Sequence, residues 1–299
     1  MSGFRLDCGG KILDLTVRPA VMGVVNLTPD SFFDGGRFAG STSATDLDRA
    51  LETALGMVAE GAEIIDVGGE STRPGAEAVS AEEEIERTAR FIALLRSRSD
   101  VHISIDTWKA EVAEEALRAG ANIVNDISGF TFDPAIAEVC GRHRAGAVLM
   151  HTLVRPGNMH WSHDTETVGR DIVEMVIDFL SRSIAVARSQ GVESIVTDPG
   201  IGFGKSVEES FRLLARLDEL HSLGCPVLAG LSRKSFLGHA IRRKGEDIPP
   251  PSERLDATTS ANTIALLNGA DILRVHDVGA AVQARSVVEA LRRSCSGKE

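Results

Sequence analysis

Met22-Gly-Val-Val-Asn-Leu-Thr-Pro-Asp-Ser-Phe-Phe-Asp-Gly-Gly36 opens as an apolar run, stops at Asn26 and continues as a loop dense in carboxylates, hydroxyls, glycine and phenylalanine. Connecting loops lie on the surface and must satisfy their own backbone. One that carries Asp30, Phe32, Phe33 and Asp34 together is composed to meet a ligand as well as to join two elements. The pattern repeats. Short apolar runs, most of them rich in Val and Ile, recur at 63–67, 101–105, 121–124, 146–150, 194–197, 226–230 and 272–275, which with 21–25 makes eight. Such runs read as parallel strands buried on both faces.

Between the runs lie helical patterns. Leu47, Ala50, Leu51, Ala54, Leu55 and Val58 share one face, as do Ile85, Ala89, Ile92 and Leu95, and again Phe211, Leu214 and Leu217. Gly61, Gly120 and Gly191 stand where each helix must stop before the next strand. Alternation of strand and helix over eight units predicts a (β/α)8 TIM barrel, an α/β fold, rather than an open doubly wound sheet. Residues 4–15, with Gly9-Gly10 at their centre, predict an N-terminal β-hairpin across the bottom of the barrel. No linker, low-complexity tract or repeat divides the chain, so 1–299 is expected to be one domain.

Composition narrows the function. With 43% hydrophobic residues in 299, the chain can bury a large core without a metal or disulfide staple. A net charge of −11 speaks against nucleic acid and against an anionic membrane as partners, because both reward clustered Lys and Arg. Cys8, Cys140, Cys225 and Cys295 form no close pair, so reduced thiols are expected rather than a zinc or redox motif. No apolar run approaches the roughly 20 residues of a membrane span, and no basic-then-apolar leader opens the chain. A cytoplasmic protein is the expectation.

Barrel enzymes build their sites at the C-terminal ends of the strands. Those ends carry Asn26, Asp66 with Glu70-Ser71-Thr72-Arg73, Asp106, Asn125-Asp126, His151, Asp198, Ser232-Arg233-Lys234-Ser235, and Arg274-Val275-His276. Singly, Asp198 before Pro199-Gly200 could be a turn former and His151 a packed histidine; together the set points to a site. Asp106, Asn125 and Asp198 suit a flat, nitrogen-rich heterocycle, because a carboxylate accepts two N–H donors and an amide matches a mixed edge. Lys234, Arg274 and His276 follow the last two strands, the usual phosphate position in such barrels, and the run 230–235 leads into a helix whose first N–H groups favour an anion. Gly200-Ile-Gly-Phe-Gly-Lys205 fails both dinucleotide and P-loop spacings; it reads as a turn shaping the pocket, with Phe203 packing on a ring. Trp108 and Trp161 read as packing residues.

On these residues the chain resembles the dihydropteroate synthase family. The likeness rests on 23–35 (GVVNLTPDSFFDG) and 65–75 (IDVGGESTRPG), supported by 104–107, 124–127, 198–203, 230–235 and 274–277. The resemblance implies an alkyl/aryl transferase that joins 6-hydroxymethyl-7,8-dihydropterin pyrophosphate to para-aminobenzoate. It implies pterin contacts from Asp106, Asn125, Ile127, Met150, Asp198, Phe203, Gly230 and Lys234. Pyrophosphate falls to Asn26, Arg73, Arg274 and His276, with Mg2+ as cofactor on Asn26 and Asp34. The aminobenzoate pocket falls to Phe32, Thr72, Arg73, Pro74, Phe203, Lys234 and Ser235. Catalysis is assigned to Asn26, Asp106, Lys234, Arg274 and His276, and a homodimer through helices near the C-terminus is implied. The chain departs from the family at Phe33, often small and polar there, and in the connection after His151.

Two other readings share the barrel. A corrinoid-type pterin methyltransferase domain would use the same pterin carboxylates but has no use for a pyrophosphate site or for residues 70–75, both present here. A silent paralogue retained as a partner subunit would have no need of a complete set of strand-end groups.

Overall fold

The computed structural model describes residues 3–27, 44–70, 79–152, 154 and 169–296. Eight parallel strands form the central sheet: β3 (Ala20–Asn26), β4 (Ile64–Gly68), β5 (His102–Asp106), β6 (Ile123–Asp126), β7 (Gly146–Met150), β8 (Ile195–Asp198), β9 (Leu228–Ala229) and β10 (Ile272–Val275). Their order is β8-β7-β6-β5-β4-β3-β10-β9, and a bridge between Thr197 and Val227 brings the two ends together. The barrel expected from the sequence is thus present. The runs 146–150 and 272–275 match residue for residue, whereas 226–230 shrinks to two residues. Pro226 explains the loss: it has no N–H for a ladder, and only its carbonyl takes part, accepting from Thr197 N at 2.9 Å.

The helices α1 (Ala44–Glu60), α2 (Ala81–Arg98), α3 (Ala110–Ala119), α4 (Ala135–His143), α5 (Ile172–Ser189), α6 (Val207–Ala215), α7 (Ser235–Ile241), α8 (Leu255–Leu267) and α9 (Val278–Ser296) cover the outside. Their boundaries are written locally. Ser80 caps α2 by accepting from Glu83 N, Ser206 and Glu209 form a reciprocal capping box on α6, and Gly120 ends α3 in the left-handed region at φ 116°. Phe91, Ile92 and Leu95 of α2 are fully buried among strand residues such as Ile65 and Ile103. Emptying a site of this kind, as in Phe91→Ala, costs about 3–5 kcal/mol.

The hairpin of β1 (Arg5–Cys8) and β2 (Lys11–Asp14) closes the bottom, as its sequence predicts. Leu6, Cys8, Leu13 and Leu15 share one buried cluster with Met22, Ile64, Ile123, Val148, Val196, Leu228 and Ile272. Contact is close enough that a Cβ on Gly146 would stand 2.7 Å from Cys8 Sγ. Those seven strand residues are the inward positions of the lower barrel. Side chains alternate along a strand, so the positions two further on, Val24, Asp66, Asn125, Met150, Asp198, Gly230 and Arg274, also face inward. Register joins them laterally, Asp66 opposite Ser104 and Val24, Asp106 opposite Asn125 and Gly68, Met150 opposite Asp198. Apolar layers below and polar layers above make a floor and a site.

Candidate active site

Arg274 stands at the centre of the polar layers. Its Nε donates to Asp66 Oδ2 at 2.7 Å and its Nη2 to Asp106 Oδ2 at 2.6 Å, while Asn125 Nδ2 also donates to Asp66 Oδ2 at 3.0 Å. Asp66 is fully buried, and a buried carboxylate is tolerated only when paired. Burial acts to lower the Arg274 pKa, but Asp66 and Asp106 outweigh it and the guanidinium stays charged. Burial raises the Asp106 carboxyl well above the ordinary range, with Arg274 opposing and Asp66 reinforcing. Asp106 Oδ1, Asp66 Oδ1 and Ser104 Oγ are buried without a hydrogen-bond partner among the described residues. Acceptors in this condition are open to donors from water or from a ligand.

Asp198 and Lys234 form a second group beside the first. Asp198 Oδ1 accepts from Gly200 N at 2.7 Å, so this residue does form its turn while its other oxygen points to the barrel mouth. A Cβ on Gly230 would lie 3.9 Å from Asp198 Oδ2, 4.0 Å from Lys234 Nζ and 3.9 Å from Arg274 Cβ. Glycine there keeps the space beside the carboxylate and the ammonium free of a side chain. Lys234 Nζ donates to Ile201 O and lies 4.5 Å from the centroid of the Phe203 ring. Burial pushes the Lys234 pKa down to about 8, and raises that of Asp198, each partly offset by the other.

Apolar walls complete the mouth. Ile127, Met150 and Phe203 form a buried cluster with Trp108 packed against it, so Trp108 serves packing at the pocket itself. Asn26 ends β3 with its Oδ1 3.3 Å from the place a Gly68 Cβ would occupy. His276 is exposed at the rim, where its Nδ1 meets Ser232 Oγ at 2.9 Å. The structure therefore separates Arg274, turned inward to the carboxylates, from His276. Ser235 opens α7 directly after Lys234, the N-cap. Asp30, Phe32, Phe33, Asp34, Thr72, Arg73, Pro74 and Trp161 lie outside the described residues.

His151 is packed rather than poised: its ring meets Phe179 edge-on at 4.8 Å, and burial with Lys205 nearby pushes its pKa down to about 2. Asp126 turns away from the site and organises its own loop, accepting from Ser128 N and Phe130 N, both at 2.7 Å.

Two features were not assigned from sequence. Asp66 was visible at a strand end but not grouped with the binding residues; its inward parity with Ile64 would have found it. Lys109 was missed altogether. Its Nζ donates at 2.7 Å to Glu70 Oε2, Glu84 Oε2 and Val79 O, joining the two residues that flank 71–78. No sequence signal links positions so far apart.

A model of the family described as pterin binding enzyme matches residues 22–276. Dihydropteroate synthase of Synechocystis is 47% identical over 290 residues, which covers 96% of this chain and 95% of the relative. The chain belongs to the dihydropteroate synthase family. Among solved members of that family, the Xanthomonas albilineans dihydropteroate synthase with 4-aminobenzoic acid is 39% identical and superposes with a TM-score of 0.83, covering 98% of this chain and 99% of that one. The Yersinia pestis dihydropteroate synthase with a sulfonamide drug is 38% identical with a TM-score of 0.85, covering 97% and 100%. Motif, fold and length thus agree along nearly the whole dihydropteroate synthase chain.

Proposed function

We propose that the protein condenses 6-hydroxymethyl-7,8-dihydropterin pyrophosphate with para-aminobenzoate, giving 7,8-dihydropteroate and pyrophosphate for folate biosynthesis. The observation that carries this reading is the pair of inward strand-end carboxylates, Asp106 and Asp198, set around the Arg274 guanidinium with a buried acceptor, Asp106 Oδ1, still to be satisfied. An amino-amidine edge supplies the N–H donors such acceptors require.

The pterin would bind against Asp106, Asn125 and Asp198, between the walls Ile127, Met150 and Phe203, with Lys234 donating to its carbonyl side. Asn26, Arg73, Arg274 and His276 would take the pyrophosphate. In the reaction, the C–O bond to pyrophosphate breaks and the leaving group keeps the electron pair. The methylene cation is stabilised by the electron-rich pterin until the arylamine nitrogen donates its lone pair and then loses a proton to solvent. Held charges and positioning do the chemical work, and none of the side chains needs to form a covalent intermediate.

Mg2+ fits the donor set in one way. Among the described residues no group of three or more His, Cys, Asp or Glu is placed to hold a metal. Mg2+ commonly keeps several waters and binds through substrate phosphates with one or two protein oxygens; Asn26 offers one such oxygen, and Asp34 is the second candidate. Bound there, the ion would neutralise the leaving group.

A homodimer in the cytoplasm completes the reading. Ile264 and Leu267 on α8 and Val287 and Leu291 on α9 are 45%, 48%, 65% and 50% exposed, and α8 and α9 pack on each other. An apolar face of that kind favours a second copy. No described helix is long and apolar enough to cross a membrane.

The test is product identification by mass spectrometry after mixing the protein with both substrates and Mg2+. Dihydropteroate is expected. Methyl transfer from a reduced pterin to a corrinoid, without dihydropteroate, would replace this reading with the methyltransferase one.

A further inference from the structure

Lys205 is among the most deeply buried side chains of the described structure, 2% exposed, yet its ammonium has no ion pair among the described residues. Its partners are backbone carbonyls: Gly200 O at 2.8 Å, Phe203 O at 3.2 Å and His151 O at 3.2 Å. An ammonium has three N–H donors and a neutral amine only two, so a cradle of three acceptors specifies the charged form. Burial works against it and pushes the pKa down to about 7, with Lys234 adding to the effect and Asp198 and Glu209 opposing.

The cradle is built from the turn that follows β8. Gly200, Gly202 and Gly204 have φ of 63°, 83° and 63°, a region open to glycine. That conformation turns the carbonyls of Gly200 and Phe203 to Lys205, while the carbonyl of Ile201 accepts from Lys234. Gly200 also lies so close to the end of β7 that a Cβ would stand 2.2 Å from His151 O. Two groups of the binding site hang from this turn: Asp198, whose Oδ1 accepts from Gly200 N, and the Phe203 ring against Ile127 and Met150. Ser206, the next residue, starts α6 with its capping box and fixes the far side of Lys205.

We propose that Lys205 is a positioning residue for the pterin: its ammonium ties the 199–204 turn to the end of β7, and so holds Asp198 and Phe203 in binding geometry. The role rests on the proposed function, because the ligand is the pterin of that reaction. Lys205 touches no substrate; it acts through the turn, and its effect falls mainly on the pterin, which meets both Asp198 and Phe203, and less on the aminobenzoate, whose pocket shares only Phe203 of the two.

Lys205→Met keeps the length and removes the ammonium, and Lys205→Gln keeps two N–H donors without charge. Calorimetry with the pterin pyrophosphate alone, and steady-state kinetics for each substrate, read the effect. In Lys205→Met the pterin Kd is expected to rise about tenfold or more, as for loss of support to a buried charge-assisted contact. The aminobenzoate KM at saturating pterin is expected to rise by a clearly smaller factor than the pterin Kd, because that pocket shares only Phe203 of the two, and Lys205→Gln to lie between. Combined with Asp198→Asn, the losses in pterin affinity should fall well short of additive, since both act through one carboxylate. Unchanged pterin Kd, equal weakening of both substrates, or additive losses would overturn the role. So would failure of both variants to fold, which would make Lys205 a folding residue. Wild-type protein that neither binds the pterin nor forms dihydropteroate would instead overturn the functional reading, and this role with it.

Discussion

Arg274 and Asp106, 168 residues apart in sequence, meet through a 2.6 Å hydrogen bond from Nη2 to Oδ2, and the Nε of the same guanidinium reaches Asp66 at 2.7 Å. One planar cation therefore bridges carboxylates from two adjacent strands, which a point charge cannot do with the same geometry. The bridge sets the orientation of Asp106 before any ligand arrives.

Arg274→Lys retains the charge and loses the fork. Turnover is expected to drop by about 10- to 100-fold, because a misplaced cation no longer meets the leaving group in line. Steady-state kinetics at saturating substrates check it, and an unchanged kcat would show that the guanidinium acts elsewhere.

Asp198→Asn keeps the shape and the turn but exchanges an acceptor pair for a mixed edge. Pterin binding is expected to weaken by about 2 to 4 kcal/mol, the usual cost of breaking a buried charge-assisted pair. Titration calorimetry with the pterin pyrophosphate reads this directly. Near-native affinity would remove Asp198 from the site.

His151 gives the protein an acid sensitivity of defined sign. Its folded pKa of about 2 lies below its ordinary value of 6.5, so the unfolded chain takes up a proton that the native state refuses. Its contribution is complete above 6.5 and is lost as pH falls toward the folded value. Relative to His151→Phe, wild type is expected to lose about 1.4 kcal/mol per pH unit below that point. Urea unfolding of both proteins from about pH 7.5 to 4.5 measures the difference. A stability gap independent of pH would mean that the buried imidazole protonates normally.

Sulfonamides are expected to compete with para-aminobenzoate. Phe32, Thr72, Pro74 and Ser235 carry the residues the aminobenzoate pocket is expected to need, and a sulfonamide resembles that substrate. Exclusion requires a contact made to one ligand and refused to the other; Phe33 is the residue with the volume to provide it. Inhibition kinetics with and without pyrophosphate, followed by Phe33→Ser, decide the matter. Full turnover with sulfonamide in large excess over aminobenzoate would contradict the expectation.

Much of the barrel could be read from the chain because a parallel strand buried on both faces leaves a continuous Val/Ile run, and the glycines at 61, 120 and 191 mark the returns. The run 226–230 predicts a longer strand than β9, because Pro226 and Gly230 flank an apolar run that supports only two ladder residues. Candidate site residues are legible in the chain where they end strands, as Asn26, Asp106 and Asp198 do. Their pairing is not. That Arg274 turns to Asp66 and Asp106 rather than toward His276 depends on barrel register, which no local pattern carries. Lys205 was hidden for a different reason: carbonyl ligands have no side-chain signature.

Pyrophosphate release, followed in a coupled assay with the pterin pyrophosphate and Mg2+ and with para-aminobenzoate present or omitted, tests the central claim most directly. Sustained release that requires the aminobenzoate, matched mole for mole by dihydropteroate and greatly reduced in Asp198→Asn, is the expected result. Release that ignores the aminobenzoate, or no release from protein that binds the pterin, would contradict it.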